Sequence, residues 1–263
     1  MRRLTLAFVS VLFLASPIAA HEFWIDPESH VIAPGQSAVA NIRVGESFKG
    51  LAQSYFTRGT ERFDVIMNGE IVDPEPILGD RPALNAQLPG EGLAIVVYET
   101  TDSRLTYTDW QKFVNFVEHK AFDGALERHV ERQLPETGFV ETYRRYAKSL
   151  IAVGDGVGED VVVGLETEIV AMANPYTDDM SAGLPVRVML RGEPRANAQV
   201  ETYSRGPDGV IRVTLTRTDD EGIARVPAVP GYAFMVDAVV LEEREGDAVW
   251  HSMWANLTYA VPE

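Results

Sequence analysis

Two long stretches of the chain alternate apolar and polar residues, and this pattern constrains the fold more than any other feature. Residues 37–44 place Ala38, Ala40 and Ile42 on one face of a predicted strand. Further strands are predicted up to residue 98 and again over residues 165–261, with turn signals such as Asn68-Gly69 between them. Many short strands separated by tight turns are typical of β-sandwiches.

The pattern changes to a helical period in the middle of the chain. Asp109 is a predicted N-cap for a first helix, and residues 122–133 and 138–150 are predicted to form a second and a third. We therefore predict a mainly β fold with two β-sandwich-like parts, of which the C-terminal one is immunoglobulin-like. A small helical segment at about residues 109–150 is predicted to lie between them.

The first 20 residues have the composition of a secretory signal peptide. Arg2 and Arg3 precede an apolar run, and small residues at Ala19 and Ala20 form a cleavage site. The expected organisation is a signal peptide at 1–20, an N-terminal β domain with the helical insert at 21–160, and the C-terminal sandwich at 161–263. We expect a periplasmic protein with no membrane insertion after cleavage, since no later segment reaches the roughly 18 apolar residues of a membrane helix.

Charge and the absence of cysteine narrow the function classes. Lys and Arg number 23 against 39 Asp and Glu, so the formal net charge is -16. A field of that sign repels phosphate backbones and argues against a nucleic-acid partner. With no cysteine, thiolate metal sites and thiol nucleophiles are excluded. The hydrolase, zinc-protease, Walker and Rossmann motifs are missing from the sequence, so we expect no enzymatic activity.

Cleavage after Ala20 would make His21 the first residue, with a free α-amine. An amine and an imidazole on one residue can chelate a divalent transition metal such as nickel, cobalt, copper or zinc. Glu22 is the neighbouring oxygen donor. His119 and Asp123 have the spacing that puts two side chains on one face of a continuous helix, and His251 is a further nitrogen donor. Of these, His119 is the favoured second donor.

Three other residues are expected to be structural. His30 is predicted to be exposed beside a loop, and His129 to be a solvated helix residue. Lys148 is expected either to complement the dipole at the C-terminal end of the third helix or to be the centre of salt bridges that hold the helices against the first sandwich.

Three blocks of sequence together resemble a known family. They are residues 21–27 (HEFWIDP), residues 141–150 (ETYRRYAKSL) followed by Val153-Gly154, and a C-terminal set comprising 184–186 (LPV), 218–222 (TDDEG), 250–252 (WHS) and 257–259 (LTY). In this order they are similar to bacterial proteins described as the periplasmic component of nickel/cobalt uptake systems, much of which is labelled only as a domain of unknown function.

The resemblance implies a metal-binding accessory role beside an energy-coupled inner-membrane nickel or cobalt transporter, with the metal ion or its chelate as ligand. Two alternatives stay open. One is a copper-binding protein or oxidative copper enzyme, in which an N-terminal histidine and a second histidine form a brace that suits Cu(II). The other is an envelope scaffolding module without metal.

Overall fold

The structure is a computed structural model that describes residues 21–263, so the predicted signal peptide lies outside the described residues. The described chain is mostly strand. A 3-10 turn covers Thr57–Gly59 and two helices cover α1 Trp110–His119 and α2 Ala125–Glu131. The strands are β1 Glu22–Pro27, β2 Val31–Ile32, β3 Ser37–Glu46, β4 Lys49–Gln53, β5 Thr60–Met67, β6 Glu70–Val72, β7 Leu84–Gln87, β8 Gly92–Thr100, β9 Ser103–Tyr107, β10 Phe139–Val153, β11 Thr167–Ala171, β12 Leu184–Leu190, β13 Glu193–Pro194, β14 Gln199–Arg205, β15 Ile211–Arg217, β16 Ile223–Val226, β17 Ala233–Glu243 and β18 Trp250–Ala260.

A ten-stranded sheet forms the centre of the molecule. Its main path runs β15-β14-β17-β18-β10-β8-β5-β6, and β2 and β9 also pair with β10. The pairing of β10 with β18 is parallel and joins Glu141–Ser149 to Trp250–Thr258 in register. Because of this pairing, strands from both sides of the predicted domain boundary at residue 160 lie in one sheet.

Two smaller sheets cover the central one. The first contains β1, β3, β4 and β7, and the second contains β11, β12, β13 and β16. On one side Ile25 and Ile42 share a buried cluster with Ile151, and on the other Val188 shares a cluster with Leu257. Each such side chain contributes about 1.5–3 kcal/mol by burial. The mainly β, sandwich-like fold class is thus confirmed.

The helical segment is present but shorter than predicted. Asp109 caps α1 by accepting a hydrogen bond from the Gln111 amide at 3.0 Å, as expected. The predicted third helix at 138–150 is wrong, because these residues form most of β10. Apolar residues at Tyr146, Ala147 and Leu150 suit one face of a helix, but they also suit a strand that is buried on both faces. Pairing with β8 and β18 selects the strand.

Within residues 21–263, neither helix combines the length and the apolar character needed to cross a bilayer.

Candidate functional site

His21 stands at the surface, immediately before β1. Its carbonyl accepts a hydrogen bond from the Arg145 guanidinium at 3.2 Å, and β1 pairs with β3 from Glu22 onward. Its ring Nε2 lies 3.8 Å from Oε1 of Glu46, with 39% of the His21 side chain and 49% of the Glu46 side chain exposed. The first residue of the predicted mature chain is therefore held in place by its backbone while its ring stays accessible.

Glu22, by contrast, is buried and engaged through both carboxyl oxygens. Oε2 accepts a hydrogen bond from the Ser47 amide at 3.0 Å, and Oε1 lies 3.0 Å from the Tyr203 hydroxyl. Burial raises the pKa of Glu22 above its usual value. The residue anchors β1 to the central sheet, and its oxygens face inward, away from the exposed ring of His21.

The Tyr203 hydroxyl connects Glu22 to a second carboxyl group. It lies 2.5 Å from Oε2 of Glu201. A hydroxyl carries only one proton and cannot donate fully to two carboxylates. The one hydroxyl proton of Tyr203 therefore serves both carboxyl groups, at 2.5 Å from Glu201 and 3.0 Å from Glu22. Burial, together with the charge of the neighbouring Glu201, raises the pKa of Glu22.

The C-terminal end of helix α1 brings a histidine and a lysine to the same carboxylate. Nε2 of His119 lies 3.2 Å from Glu201 Oε1, and the Lys120 ammonium donates to Glu201 at 2.9 Å and to Asp237 at 2.9 Å. Lys120, Glu201 and Asp237 are all buried, whereas 60% of the His119 side chain is exposed. We call Glu22, His119, Lys120, Glu201, Tyr203 and Asp237 the polar cluster.

The two carboxyl groups that share Lys120 have opposite pKa shifts. Burial pushes the pKa of Glu201 upward, but the His119 hydrogen bond and the Lys120 charge overcome it and lower the pKa to about 2. Asp237 is more deeply buried, and burial raises its pKa to about 7 despite Lys120. The hydrogen bond to Glu201 also raises the pKa of His119. One ammonium thus supports one carboxylate that is fully ionised at neutral pH, while the second titrates near neutrality.

Several buried polar atoms around Asp237 make no hydrogen bond with the described residues. They include Asp237 Oδ1, Arg145 Nε, Trp24 Nε1 and both side-chain polar atoms of Asn256. Asp237 and Asn256 are directly opposite each other on β17 and β18. Buried polar atoms without a partner are costly to the folded state.

The five predicted metal ligands do not converge. Glu22 and His119 are joined through Tyr203 and Glu201, but Asp123 is elsewhere, since α1 ends at His119 and Ala121 has a left-handed backbone with φ 51°. The junction between α1 and α2 thus falls between His119 and Asp123, and the two residues do not share one continuous helix face. Over residues 21–263 there is no group of three or more histidine or carboxylate side chains placed to hold a metal ion.

His251 lies in a separate part of the central sheet. Its Nδ1 is 2.9 Å from the Thr142 hydroxyl, and it lines a cavity of about 220 Å³ beside Glu242 and Arg191. Arg191 already pairs with Glu242 at 2.6 Å. This region is charge-paired internally and does not reach His21.

Two other histidine predictions are also wrong. His129 is only 1% exposed, and its Nδ1 accepts a hydrogen bond from the Trp250 indole at 3.0 Å. His30 is half-buried, and its Nδ1 lies 2.9 Å from the Leu150 carbonyl oxygen. Lys148 does not end a helix; it is fully buried in β10, 2.7 Å from Asp160. All three contribute to structure through tertiary contacts that local patterns do not reveal.

Sequence reasoning missed most of the polar cluster. From the sequence, Glu201, Tyr203 and Asp237 are predicted only as residues of strands. A detectable signal was present for Asp237, because a single carboxylate within the apolar run of residues 233–241 must be buried and must have a partner. The identity of that partner, Lys120, depends on tertiary structure.

Comparison with known proteins identifies a family whose model matches most of the chain. The family described as "Domain of unknown function (DUF4198)" matches residues 18–241. Shorter matches join the chain to uroporphyrinogen decarboxylase of Enterobacter sp. (strain 638), 31% identical over 78 residues, which are 29% of this chain and 22% of the enzyme. The enzyme of Escherichia coli (strain K12 / DH10B) is 29% identical over 118 residues, 41% of this chain and 33% of the enzyme.

The chain thus spans a third or less of these curated relatives. Among solved structures, a tetra-tandem repeat in the extending region of a large adhesion protein aligns over 91% of this chain and 49% of that chain, with 10% identity and a TM-score of 0.21.

Proposed function

The chain belongs to the family described as a domain of unknown function, and from this premise we propose that it is a periplasmic accessory protein that binds nickel or cobalt at its mature N-terminus. The proposal includes export and cleavage after Ala20. The observation that carries it is the position of Glu46 beside the ring of His21.

The geometry of a histidine chelate explains why Glu46 matters. When the α-amine and the ring of one histidine bind the same metal, Nδ1 is the ring nitrogen that closes the six-membered chelate, and Nε2–H points away from the metal. Metal-bound histidines usually direct this second N–H at a carboxylate or carbonyl, which fixes the tautomer and makes the ligand more basic. Glu46 lies on the Nε2 side of His21, at 3.8 Å.

The strand below the histidine is pre-organised for this role. Arg145 holds the His21 carbonyl, and Ser47 and Tyr203 hold the Glu22 side chain. An amine and an imidazole supply only two donors, whereas Ni(II) and Co(II) take four or more. The remaining positions are open to water, to a small chelator or to a donor from a transporter. Such a half-filled coordination sphere favours handing the metal on over storing it.

The copper alternative needs a second histidine at the same metal. His119 is the candidate on the sequence, but its ring lies beside Glu201, a carboxylate that also holds the Lys120 ammonium, and this neighbouring positive charge disfavours a metal cation there. This weighs against a histidine brace. We therefore favour nickel or cobalt, for which open coordination positions suit a carrier.

The test compares the chain beginning at His21 with one carrying an additional alanine before it. The extension moves the free amine off the histidine, so calorimetric titration with Ni(II) or Co(II) is expected to give much weaker binding. Replacement of Glu46 by glutamine is expected to weaken affinity by about 10–100-fold, as for other outer partners of metal-bound histidines. Glu28→Gln, on an exposed carboxylate just after β1, is the matched control.

Acid is expected to weaken binding, because protons compete for an amine and an imidazole whose ordinary pKa values are about 7.7 and 6.5. Equal affinity of the extended and unextended chains would remove His21 as the anchor. Tight Cu(II) binding that is lost in His119→Ala would favour the copper alternative. If none of the divalent ions binds, the hypothesis of a metal-free envelope scaffolding module would be favoured.

A further inference from the structure

A cavity of about 480 Å³ lies beside the start of β5, where the 3-10 turn and the segment after β6 approach each other. Its volume falls within the range of about 300–1,000 Å³ that is typical of small-molecule sites. The cavity wall combines aromatic and carboxylate side chains. The lining residues that matter here are Tyr55, Phe63, Glu61, Asp73, Glu75 and Thr60.

Two aromatic rings form the floor of this cavity. The centroids of Tyr55 and Phe63 are 5.8 Å apart, and Phe63 packs edge-on against Tyr98 at 5.1 Å. Tyr55 is only 9% exposed, and Phe63 is half-buried, so both rings are held in place by packing. The neighbouring Tyr98 hydroxyl is 2.5 Å from Thr60 Oγ1. The floor therefore offers a fixed aromatic surface.

Three carboxylates, Glu61, Asp73 and Glu75, complete the lining. All three are exposed, and none of them forms an ion pair with another described side chain. No arginine or lysine lines the cavity. The electrostatic potential at its mouth is therefore negative, and a positive ligand would not have to displace a protein cation.

The backbone holds the cavity wall in place. The Tyr55 amide donates to the Asp80 carbonyl at 3.0 Å, and the Gly79 amide donates to the Tyr55 carbonyl at 2.8 Å. These two hydrogen bonds tie the segment after β6 to the aromatic floor, so the cavity is formed before a ligand arrives. Pre-formed sites lose less ordering free energy on binding.

From these features we infer that the cavity binds a small organic ammonium ion with an apolar body. The faces of Tyr55 and Phe63 attract a cation through their ring quadrupoles, and the carboxylates at the mouth add charge attraction. A neutral apolar ligand would gain nothing from the carboxylates. A bare metal ion would gain nothing from the rings. This inference is independent of the proposed metal site.

The test uses choline and its neutral isostere 3,3-dimethyl-1-butanol as probes. The binding of each probe is measured by ligand-observed NMR titration at low ionic strength. The two probes have the same shape and differ in charge. We expect choline to bind about tenfold more tightly, the scale of cation–π and weak charge attraction. Phe63→Leu and the triple variant Glu61→Gln, Asp73→Asn, Glu75→Gln are each expected to weaken choline binding several-fold, and so is added salt.

Glu70→Gln, an exposed carboxylate on β6 outside the cavity, is the matched control and is expected to leave choline affinity unchanged. His21→Ala is also expected to leave it unchanged, which separates this site from the metal site. Because Phe63 packs against Tyr98, the folding of Phe63→Leu is checked by circular dichroism. The triple carboxylate variant changes only exposed side chains, so it tests ammonium binding without altering the core. Equal binding of the two probes, or full choline affinity in the triple variant, would overturn the inference.

Discussion

Replacement of Asp237 by asparagine tests the charge state of the polar cluster. Asp237 is fully buried, and it shares the Lys120 ammonium with Glu201. Glu201 receives further hydrogen bonds from His119 and Tyr203, whereas Oδ1 of Asp237 has no hydrogen bond among the described residues. Asp237 is therefore the carboxyl group that keeps its proton, and an amide of the same shape should replace it at little cost.

The magnitude follows from the pKa of Asp237, which is raised to about 7 in the folded protein from an ordinary 3.8. As the pH rises between these values, the unfolded chain releases a proton that the folded chain retains. The free energy of unfolding therefore falls with rising pH, by about 4 kcal/mol in total. About 3 kcal/mol of this falls between pH 5 and pH 8.5, a window in which Glu201, with a pKa of about 2, stays ionised.

Urea unfolding of the wild type and of Asp237→Asn at pH 5, 6, 7 and 8.5 measures this difference directly. The variant is expected to gain stability relative to the wild type by about 3 kcal/mol across the series, because asparagine cannot ionise. Asp247→Asn, on an exposed turn, is the control and should run parallel to the wild type. If Asp237→Asn also runs parallel, or loses stability at high pH, Asp237 is ionised at neutral pH and the argument is refuted.

Two further variants test buried polar contacts. Lys148→Met leaves Asp160 and Glu168 buried without the ammonium that they share, which lies 2.7 Å from Asp160 and 3.6 Å from Glu168. Urea titration should show a free energy of unfolding that is about 3–5 kcal/mol lower than in the wild type. A loss under about 1 kcal/mol would mean that both acids are neutral. Trp250→Phe removes the indole N–H that donates to His129, and it should lower the free energy of unfolding by about 1–3 kcal/mol. Loss of this donor should also raise the pKa of the His129 ring, which NMR titration of its ring protons detects. An unchanged His129 pKa would contradict the hydrogen bond.

Local patterns were enough to predict most of the fold. Alternation located β3, and the Asn68-Gly69 signal located the turn between β5 and β6. The Asp109 cap located the start of α1. These features are decided by residues close together in the chain, which is why a single sequence reveals them. The division into domains at residue 160 stays a prediction.

The errors arose where distant segments decide the outcome. Residues 138–150 carry a stripe that suits a helix or a doubly buried strand, and parallel pairing with β18, about a hundred residues later, selects the strand. Likewise, nothing local to Glu22 indicates that its side chain meets Tyr203. The polar cluster is assembled from β1, α1, β14 and β17, so its members could be suspected singly but not combined.

The polar cluster also bears on the charge beneath the proposed metal site. Both carboxyl oxygens of Glu22 are occupied by hydrogen bonds from the Ser47 amide and the Tyr203 hydroxyl, so they are not free to reach a metal ion at His21. Glu201 is ionised, and the Lys120 ammonium compensates its charge. The charge of a divalent ion at the mature N-terminus would thus be compensated at close range mainly by the exposed carboxylate of Glu46. Weak local charge compensation and open coordination positions both favour rapid release of the metal, the property that a delivery protein needs.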